Sequence, residues 1–354
     1  AIVIGGLAFE LFISVPVVYG SSSKDSWQSA GTTASNAWSK VATISLAVLI
    51  FSMLGQLLQQ ASVLSGNSVF APDPEVIKSV TFDSGWGRLW TYRVVAVIFI
   101  GILFFVAKRS TADADDYEED VSEEQYEQEN SLLGDSIFAQ IAAVLGLIFL
   151  GLVAASSHNA ASPSEIKTFA IVTDFVHLVS SMVWLGGVIY LAIAVPVFIR
   201  ELSGSDASDL LDSAVSKFTV LGILSAGILV TTGIFASYMQ VTIPAAVATP
   251  YGWFLVGKLA LVVSLFGFAA YHGFKLAKSF GIGGERRLGR SLVIEAGIAV
   301  LVFAAVGWLA SLEPARQYAG RTGIGSIEKV TYQDQAEGTE FDININPAEV
   351  GAND

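Results

Sequence analysis

Residues 169–199 read FAIVTDFVHLVSSMVWLGGVIYLAIAVPVFI and are the most informative stretch of this chain for its architecture. The stretch holds one carboxylate, Asp174, and no lysine or arginine over its 31 residues. About 20 apolar residues in an α-helix cross the ~30 Å hydrocarbon core of a bilayer. Because lipid offers the backbone no hydrogen-bond partners, a segment that crosses it must be helical. The stretch therefore predicts a transmembrane helix.

Seven further apolar runs lie along the chain. The eight predicted spans lie near residues 1–19, 39–63, 91–107, 135–156, 169–199, 217–241, 252–277 and 288–312. The composition agrees, since 53% of residues are hydrophobic, 14% are charged and the mean hydropathy is +0.60. We predict an all-α, polytopic membrane helical bundle of about eight transmembrane helices.

Polar composition limits the functions open to the protein. The chain has no cysteine, which excludes disulfides and thiolate metal sites. Its net charge of −13 is concentrated in the loop 109–132 and in the polar tail 315–354, which we interpret as solvated acidic segments. A β-like stretch is expected within that tail, near Thr339 to Ile345. The sequence has no basic patch of the kind that binds nucleic acid, so we predict no nucleic-acid partner. The long apolar runs predict that a lipid bilayer surrounds the protein.

The loops between spans differ in their basic residues. Loops after the odd-numbered spans carry eleven lysines and arginines, against three in loops after the even-numbered ones. The positive-inside rule then places both termini outside the plasma membrane, the loop 109–132 in the cytoplasm and the tail 315–354 outside. The first run begins at Ala1 without a charged region or a cleavage site, so we expect a retained span rather than a signal peptide.

Internal similarity suggests two halves. Gly5-Gly6 and Pro16 match Gly186-Gly187 and Pro196, with shifts of 181 and 180 residues. Four spans per half give both halves the same orientation, as in transporters built from parallel repeats. We predict two parallel four-helix repeats over residues 1–156 and 157–314. The glycines of Trp184-Leu185-Gly186-Gly187 are interpreted as sites of close helix packing.

Ionisable groups inside a membrane are costly and therefore mark functional candidates. His158 closes span four, while Asp174 and His177 share one face near the outer end of span five. The short loop between these spans predicts that the three side chains are neighbours just below the outer surface. Imidazole binds copper, zinc, iron or nickel, and a carboxylate can orient it or bind directly. A structural hydrogen-bonded pair is the alternative for Asp174 and His177.

Two methionines extend this predicted outer metal site. Met182 is five residues deeper than His177, and Met239 lies at the outer end of span six. A thioether favours Cu(I), although ordinary core packing is the alternative for each methionine.

A second polar set is expected near the inner side. His272 lies near the end of span seven and Glu295 in the inner third of span eight, where they would form an inner relay that accepts a metal ion leaving toward the cytosol. The alternative is a satisfied polar cluster. Glu10 lies in the middle of span one, and we expect it either to pair with Arg93 or Lys258 or to relay protons.

The motif order resembles the CopD family of copper-resistance and copper-uptake membrane proteins. The resemblance rests on His158, Asp174-x-x-His177, the Trp184–Gly187 motif, Pro196, Pro250-Tyr251-Gly252, Lys258, Glu295 and Pro314. It implies eight spans, an outer copper site and transfer of copper toward the cytoplasm. It also implies a possible partner, an outer copper-binding protein of the CopC type.

Three functions follow as hypotheses. The first is a copper permease that is not an enzyme. Because no ATP-binding motif is visible, transport would be passive or coupled to an ion gradient. The second is a b-type cytochrome with haem b between spans four and five, held by His158 and His177. The third is a subunit that delivers copper to a larger membrane complex or scaffolds it.

Overall fold

A computed structural model describes residues 1–20, 24–71, 73–116, 132–157, 164–241, 247–272 and 284–312, with Ala315, Tyr318 and two strands in the tail. Its helices are α1 (Ile2–Phe9), α2 (Val15–Val18), α3 (Asp25–Ser65), α4 (Pro74–Phe82), α5 (Gly85–Asp116), α6 (Ile137–Ala154), α7 (Ser164–Glu201), α8 (Ser205–Gln240), α9 (Pro250–Tyr271) and α10 (Gly284–Ser311). A π-helical turn, Glu10–Ser14, joins α1 to α2.

Among the described residues, seven helices are long and apolar enough to cross a membrane: α3 and α5 through α10. The apolar segment Ile2–Val18, made of α1, the π-turn and α2, is a shorter eighth helix. Large apolar side chains such as Phe51 and Trp253 are exposed on the helix surfaces, where a bilayer rather than water would solvate them. The prediction of a polytopic helical membrane bundle is confirmed.

Several helices extend beyond the predicted spans. Helix α3 begins at Asp25 rather than near residue 39, and α8 begins at Ser205 rather than near 217. Hydropathy detects only the apolar part of a helix, whereas the backbone continues through polar turns that can lie in water. At 41 residues, α3 is about 60 Å long, twice the hydrocarbon thickness. Predicted span seven reaches residue 277, of which only the part up to His272 lies within the described chain.

Helix α4 was not predicted from the sequence. The side chain of Asp73 caps it by accepting a hydrogen bond from the Glu75 N–H at 3.0 Å, and Pro74 occupies the first helical position. Both features are ordinary helix-start signals. The connection between α3 and α5 is therefore partly helical.

The tail contains a two-stranded antiparallel sheet. Strand β1 (Val330–Ala336) pairs with β2 (Thr339–Ile345), so that Val330 lies opposite Ile345 and Ala336 opposite Thr339. The β-like stretch expected near Thr339 to Ile345 is confirmed, while β1 was not anticipated.

The described chain forms two compact units. One comprises Ala1–Thr232 with Gly267–Gly297, and the other Gly233–Phe266 with Ile298–Asp354. The polar clusters described below lie in the first unit. In the second, the rings of Phe254 and Trp308 stack with their centroids 5.6 Å apart. The predicted halves 1–156 and 157–314, and the tail as a separate domain, stay predictions.

Two glycines bring α1 and α7 into backbone contact within the first unit. A Cβ atom added to Gly186 would lie 2.6 Å from the Cα of Gly5, closer than real contacts allow. The packing interpretation of these glycines agrees with this contact. Gly5 and Gly186 are also matching positions of the predicted repeats. Two residues that a two-fold axis relates contact each other when they lie at that axis. Parallel repeats would produce this contact.

Aromatic side chains form the core around this crossing. The ring of Tyr190 stacks on Phe9 at a centroid distance of 4.5 Å and lies 5.5 Å from the ring of Trp38. Trp38 is fully buried and donates its indole N–H to the Ile2 carbonyl at 3.1 Å. These contacts fix Tyr190 next to the first helical segment, where its hydroxyl group reaches Glu10.

Candidate functional site

The predicted outer site is only partly within the described structure. Asp174 and His177 lie on α7, three residues apart on one face, and both side chains are half-buried. His158 lies outside the described residues, so its predicted proximity to the other two stays a prediction. Among the described residues, no three His, Asp or Glu side chains are grouped closely enough to hold a metal ion.

Helix α8 contributes a residue that holds the imidazole of His177. The Nδ1 atom of His177 lies 2.8 Å from the Thr232 hydroxyl oxygen. That hydroxyl donates its own hydrogen to the Ile228 carbonyl at 2.6 Å. Since a hydroxyl has one hydrogen, Thr232 must accept from the Nδ1–H of His177.

This hydrogen bond selects one tautomer of His177. With the proton on Nδ1, the neutral ring carries its lone pair on Nε2, the atom through which such an imidazole binds a metal ion. Histidine ligands are commonly oriented by a partner on the other ring nitrogen. The geometry of His177 and Thr232 therefore suits a metal ligand supported by a second residue.

The methionines fit this site unequally. Met182 is half-buried on α7, five residues beyond His177, and its carbonyl lies against Gly5. Met239 belongs to the second unit, so its place beside His177 stays a prediction.

The predicted inner pair is brought together by α9 and α10. The Nδ1 atom of His272 lies 3.1 Å from the Oε1 atom of Glu295, and its Nε2 atom lies 2.8 Å from the Ser291 hydroxyl. All three side chains are buried. Ser291 and Glu295 are four residues apart and so share a helix face. Only the Nε2 contact has hydrogen-bond geometry, because the buried Oε1 atom of Glu295 has no hydrogen-bond partner among the described residues. His272 and Glu295 are therefore adjacent, but they do not form a continuous hydrogen-bonded relay in the described structure.

Glu10 does not pair with Arg93, and that expectation is wrong, whereas Lys258 belongs to the second unit, so its pairing with Glu10 is not tested. Its side chain is fully buried and accepts hydrogen bonds from the Gly134 N–H at 2.6 Å and the Tyr190 hydroxyl at 2.9 Å. Arg93 instead donates from Nε to the Leu89 carbonyl of its own helix at 3.3 Å. Glu10 lies too many residues from its partners in sequence for periodicity to have revealed them.

Three partner residues were missed by the sequence analysis: Thr232, Ser291 and Tyr190. Hydroxyl groups are common in membrane helices, and nothing in their spacing distinguishes those that face a histidine or a carboxylate. Thr232 and Ser291 each lie on a different helix from the histidine that they contact. Only the rotation of that helix about its axis decides whether the hydroxyl group faces the histidine.

The long apolar helices and buried polar clusters define a polytopic α-helical membrane protein. Two family models match its sequence: the copper resistance protein D-like N-terminal domain over residues 1–115, and copper resistance protein D over residues 212–309. The chain belongs to the copper resistance protein D family. The matched segments include Glu10, His272 and Glu295, whereas Asp174 and His177 lie between them.

Two curated relatives are similar to this chain. The copper transport protein CutJ of Bacillus subtilis (strain 168) is 26% identical over 274 residues, covering 75% of this chain and 44% of the relative. Copper resistance protein D of Pseudomonas syringae pv. tomato is 28% identical over 183 residues, covering 49% of this chain and 58% of the relative. The chain thus spans about half the length of each. No solved structure matches it.

Proposed function

We propose that this protein is a copper-handling membrane protein, a permease that takes copper from the outer side of the plasma membrane and moves it toward the cytoplasm. The observation that carries the proposal is the 2.8 Å contact between His177 Nδ1 and the Thr232 hydroxyl oxygen, from which we infer a lone pair on Nε2. The names of the two relatives, a copper transport protein and a copper resistance protein, support copper as the substrate.

His177 and Asp174 would capture the ion. The imidazole offers Nε2, and a carboxylate on the same face adds an oxygen ligand or orients the ring. His158, which follows α6 in the sequence, would supply a second imidazole, and the thioethers of Met182 and Met239 would favour Cu(I). Copper is the substrate here rather than a resident cofactor.

The inner relay would receive the ion or its accompanying charge. His272 and Glu295 place a base and a carboxylate together in a buried position, which is costly within a membrane and therefore suggests a function. Under the positive-inside rule both termini lie outside, and the cluster lies toward the cytoplasmic side. An outer copper-binding protein of the CopC type is the partner that would deliver copper.

The first experiment measures metal content and optical spectrum of purified wild-type protein and of the His177→Ala variant. We expect stoichiometric copper in the wild type, loss of most of it in the variant, and no Soret band. Thermal unfolding of both proteins in detergent separates loss of the ligand from loss of the fold. Copper uptake into vesicles containing the protein then tests transport and its direction.

Three results would contradict the proposal. A Soret band that disappears in His177→Ala would indicate a b-type cytochrome with haem b. Wild-type protein that binds neither copper nor haem would leave Asp174 and His177 as a structural pair. Copper binding without uptake, with further subunits co-purifying, would support a delivery or scaffold role instead of a permease.

A further inference from the structure

Glu10 is a fully buried carboxylate that the proposed copper route does not use. It begins the π-helical turn Glu10–Ser14 in the first apolar segment. Its oxygens accept hydrogen bonds from the Gly134 N–H and the Tyr190 hydroxyl, and the buried Ser35 side chain also faces them. π-Helical turns interrupt α-helices at a cost in regularity and occur often at functional sites.

Among the described residues of the first unit, Glu10 forms no ion pair. The titratable group facing it from α7 is Tyr190, and α3 faces it with Ser35. The segment before α6 faces it with the backbone of Gly134, and the side chain of Asp135 lies outside the described part. Lys217 on α8 donates to the Pro16 carbonyl instead. An ionised carboxylate in such a place is stabilised by hydrogen bonds alone.

The hydrogen bonds around Glu10 suit both of its protonation states. The buried Ser14 side chain faces the Tyr190 hydroxyl group, so that Ser14, Tyr190 and Glu10 are placed in a row of hydroxyl groups ending at a carboxyl group. When Glu10 is ionised, Ser14 donates to Tyr190 and Tyr190 donates to Glu10. When Glu10 is protonated, its O–H donates to Tyr190 and Tyr190 turns to Ser14. A hydroxyl both donates and accepts, so the reversal leaves no buried polar atom unpaired.

We propose that Glu10 is a reversible proton-binding site, with Tyr190 and Ser14 as the hydroxyl chain that serves both protonation states. Proton binding forms one O–H bond on the carboxylate and breaks one O–H bond of a hydronium ion from the bulk solution, which becomes water, with no change of oxidation state. The Gly134 N–H holds the second carboxyl oxygen in both states, which keeps the group in position. The close fit of Gly134 against the Glu10 side chain leaves no room for a Cβ.

The site shares a helix with the proposed copper site. Tyr190 and His177 are 13 residues apart on α7, about 20 Å along the helix axis. In a copper permease, the proton on Glu10 would be the coupling ion for copper movement. This coupling rests on the proposed function, whereas proton binding by Glu10 does not.

The test is infrared difference spectroscopy on the full chain in lipid vesicles, between acidic and alkaline buffer and without copper. We expect the carbonyl band of a protonated carboxyl group to appear on acidification and to shift in heavy water. The Glu10 component of this band should be lost in Glu10→Gln and retained in Glu295→Gln, which removes the other carboxylate that is buried among the described residues of the first unit. Tyr190→Phe keeps the ring that packs on Phe9 and should shift the frequency of the band.

A difference band unchanged in both Glu10→Gln and Tyr190→Phe would overturn the proposal, because Glu10 would then hold one protonation state throughout. If Glu10→Gln does not fold, the shift in Tyr190→Phe alone decides. Copper uptake driven by a pH gradient tests the coupling, and we expect Glu10→Gln to lose the dependence on the gradient while copper binding is retained. Wild-type protein that shows the band but binds no copper would refute the copper function and leave the proton site standing.

Discussion

The Nδ1–H of His177 on α7 donates to the hydroxyl oxygen of Thr232 on α8, with 2.8 Å between the two atoms. Thr232 accepts because its own hydrogen is given to the Ile228 carbonyl. The contact therefore does more than join two helices. It fixes which nitrogen of His177 carries the lone pair, and with it the atom that can bind copper.

Thr232→Val is expected to weaken copper binding by about 10-fold or more, because the ring loses its orienting partner while His177 remains. The measurement is copper affinity of the purified protein by competition with a chelator. Thr231→Val is the matched control, since Thr231 is exposed and bonds only to the Gly227 carbonyl of its own helix. Equal affinities of the two variants would show that Thr232 does not orient a ligand.

His272 and Glu295 should behave as one unit. Glu295→Gln and His272→Gln are each expected to lower the free energy of unfolding, and the double variant to lose less than the sum, by about 0.5–3 kcal/mol. Denaturant unfolding in detergent of the four proteins measures this coupling. Ser264→Ala serves as a control, because Ser264 is exposed and bonds within α9. Additive effects of the two substitutions would show that the contact between the two side chains does not contribute to stability.

Gly186→Ala is expected to destabilise the protein by about 1–3 kcal/mol, because the added methyl group would overlap the backbone of Gly5. Thermal unfolding in detergent provides the measurement. Gly101→Ala on α5 adds the same methyl group where nothing lies within 4 Å, and should be neutral or slightly stabilising. Equal melting temperatures of the two variants would contradict the close contact between Gly186 and Gly5.

Lys24 joins the start of α3 to α8 through Asp206 at 2.7 Å and Asp209 at 2.9 Å. Hydrogen bonds to these carboxylates raise the pKa of Lys24 above its usual value of 10.5. A raised pKa means that the stabilisation is complete below the pKa of the unfolded chain and is lost as pH rises through the folded value. At neutral pH the contacts of Lys24 with Asp206 and Asp209 therefore make their full, small contribution to the stability of the fold. Salt reduces this contribution because the groups are largely exposed.

Lys24→Met should therefore lower the melting temperature slightly at pH 7 and low salt, with the difference disappearing at high salt or at strongly alkaline pH. Lys40→Met is the control, an exposed lysine on the same helix. A difference from wild type that persists at high salt would assign the effect to packing of the lysine stem instead.

Much of the architecture was predictable because a bilayer imposes a simple rule on sequence. Residues 169–199 predicted α7 from length and hydropathy alone, and the cost of burying charge singled out His177, Glu295 and Glu10 as functional candidates. The helix ends were less predictable. The first helical turns of α3 are polar and have the same composition as a loop, so hydropathy does not reveal where that helix begins.

The partners of the buried groups were not predictable. The expectation that Glu10 pairs with Arg93 came from their opposite charges. In the structure, the Glu10 carboxylate instead accepts hydrogen bonds from a tyrosine hydroxyl 180 residues away and from a backbone N–H. Any of several hydroxyl groups would have fitted equally well in sequence.

The amino-acid sequence thus established that the chain crosses a membrane, roughly where its helices lie and which ionisable groups are buried among them, since each follows from the energy of placing a residue in lipid. The tertiary structure established that Thr232 faces His177, that Ser291 and Glu295 enclose His272, and that Tyr190 reaches Glu10. Those contacts depend on the rotation and close approach of whole helices, set at places such as Gly5 and Gly186 by packing that leaves no periodic signal in the chain.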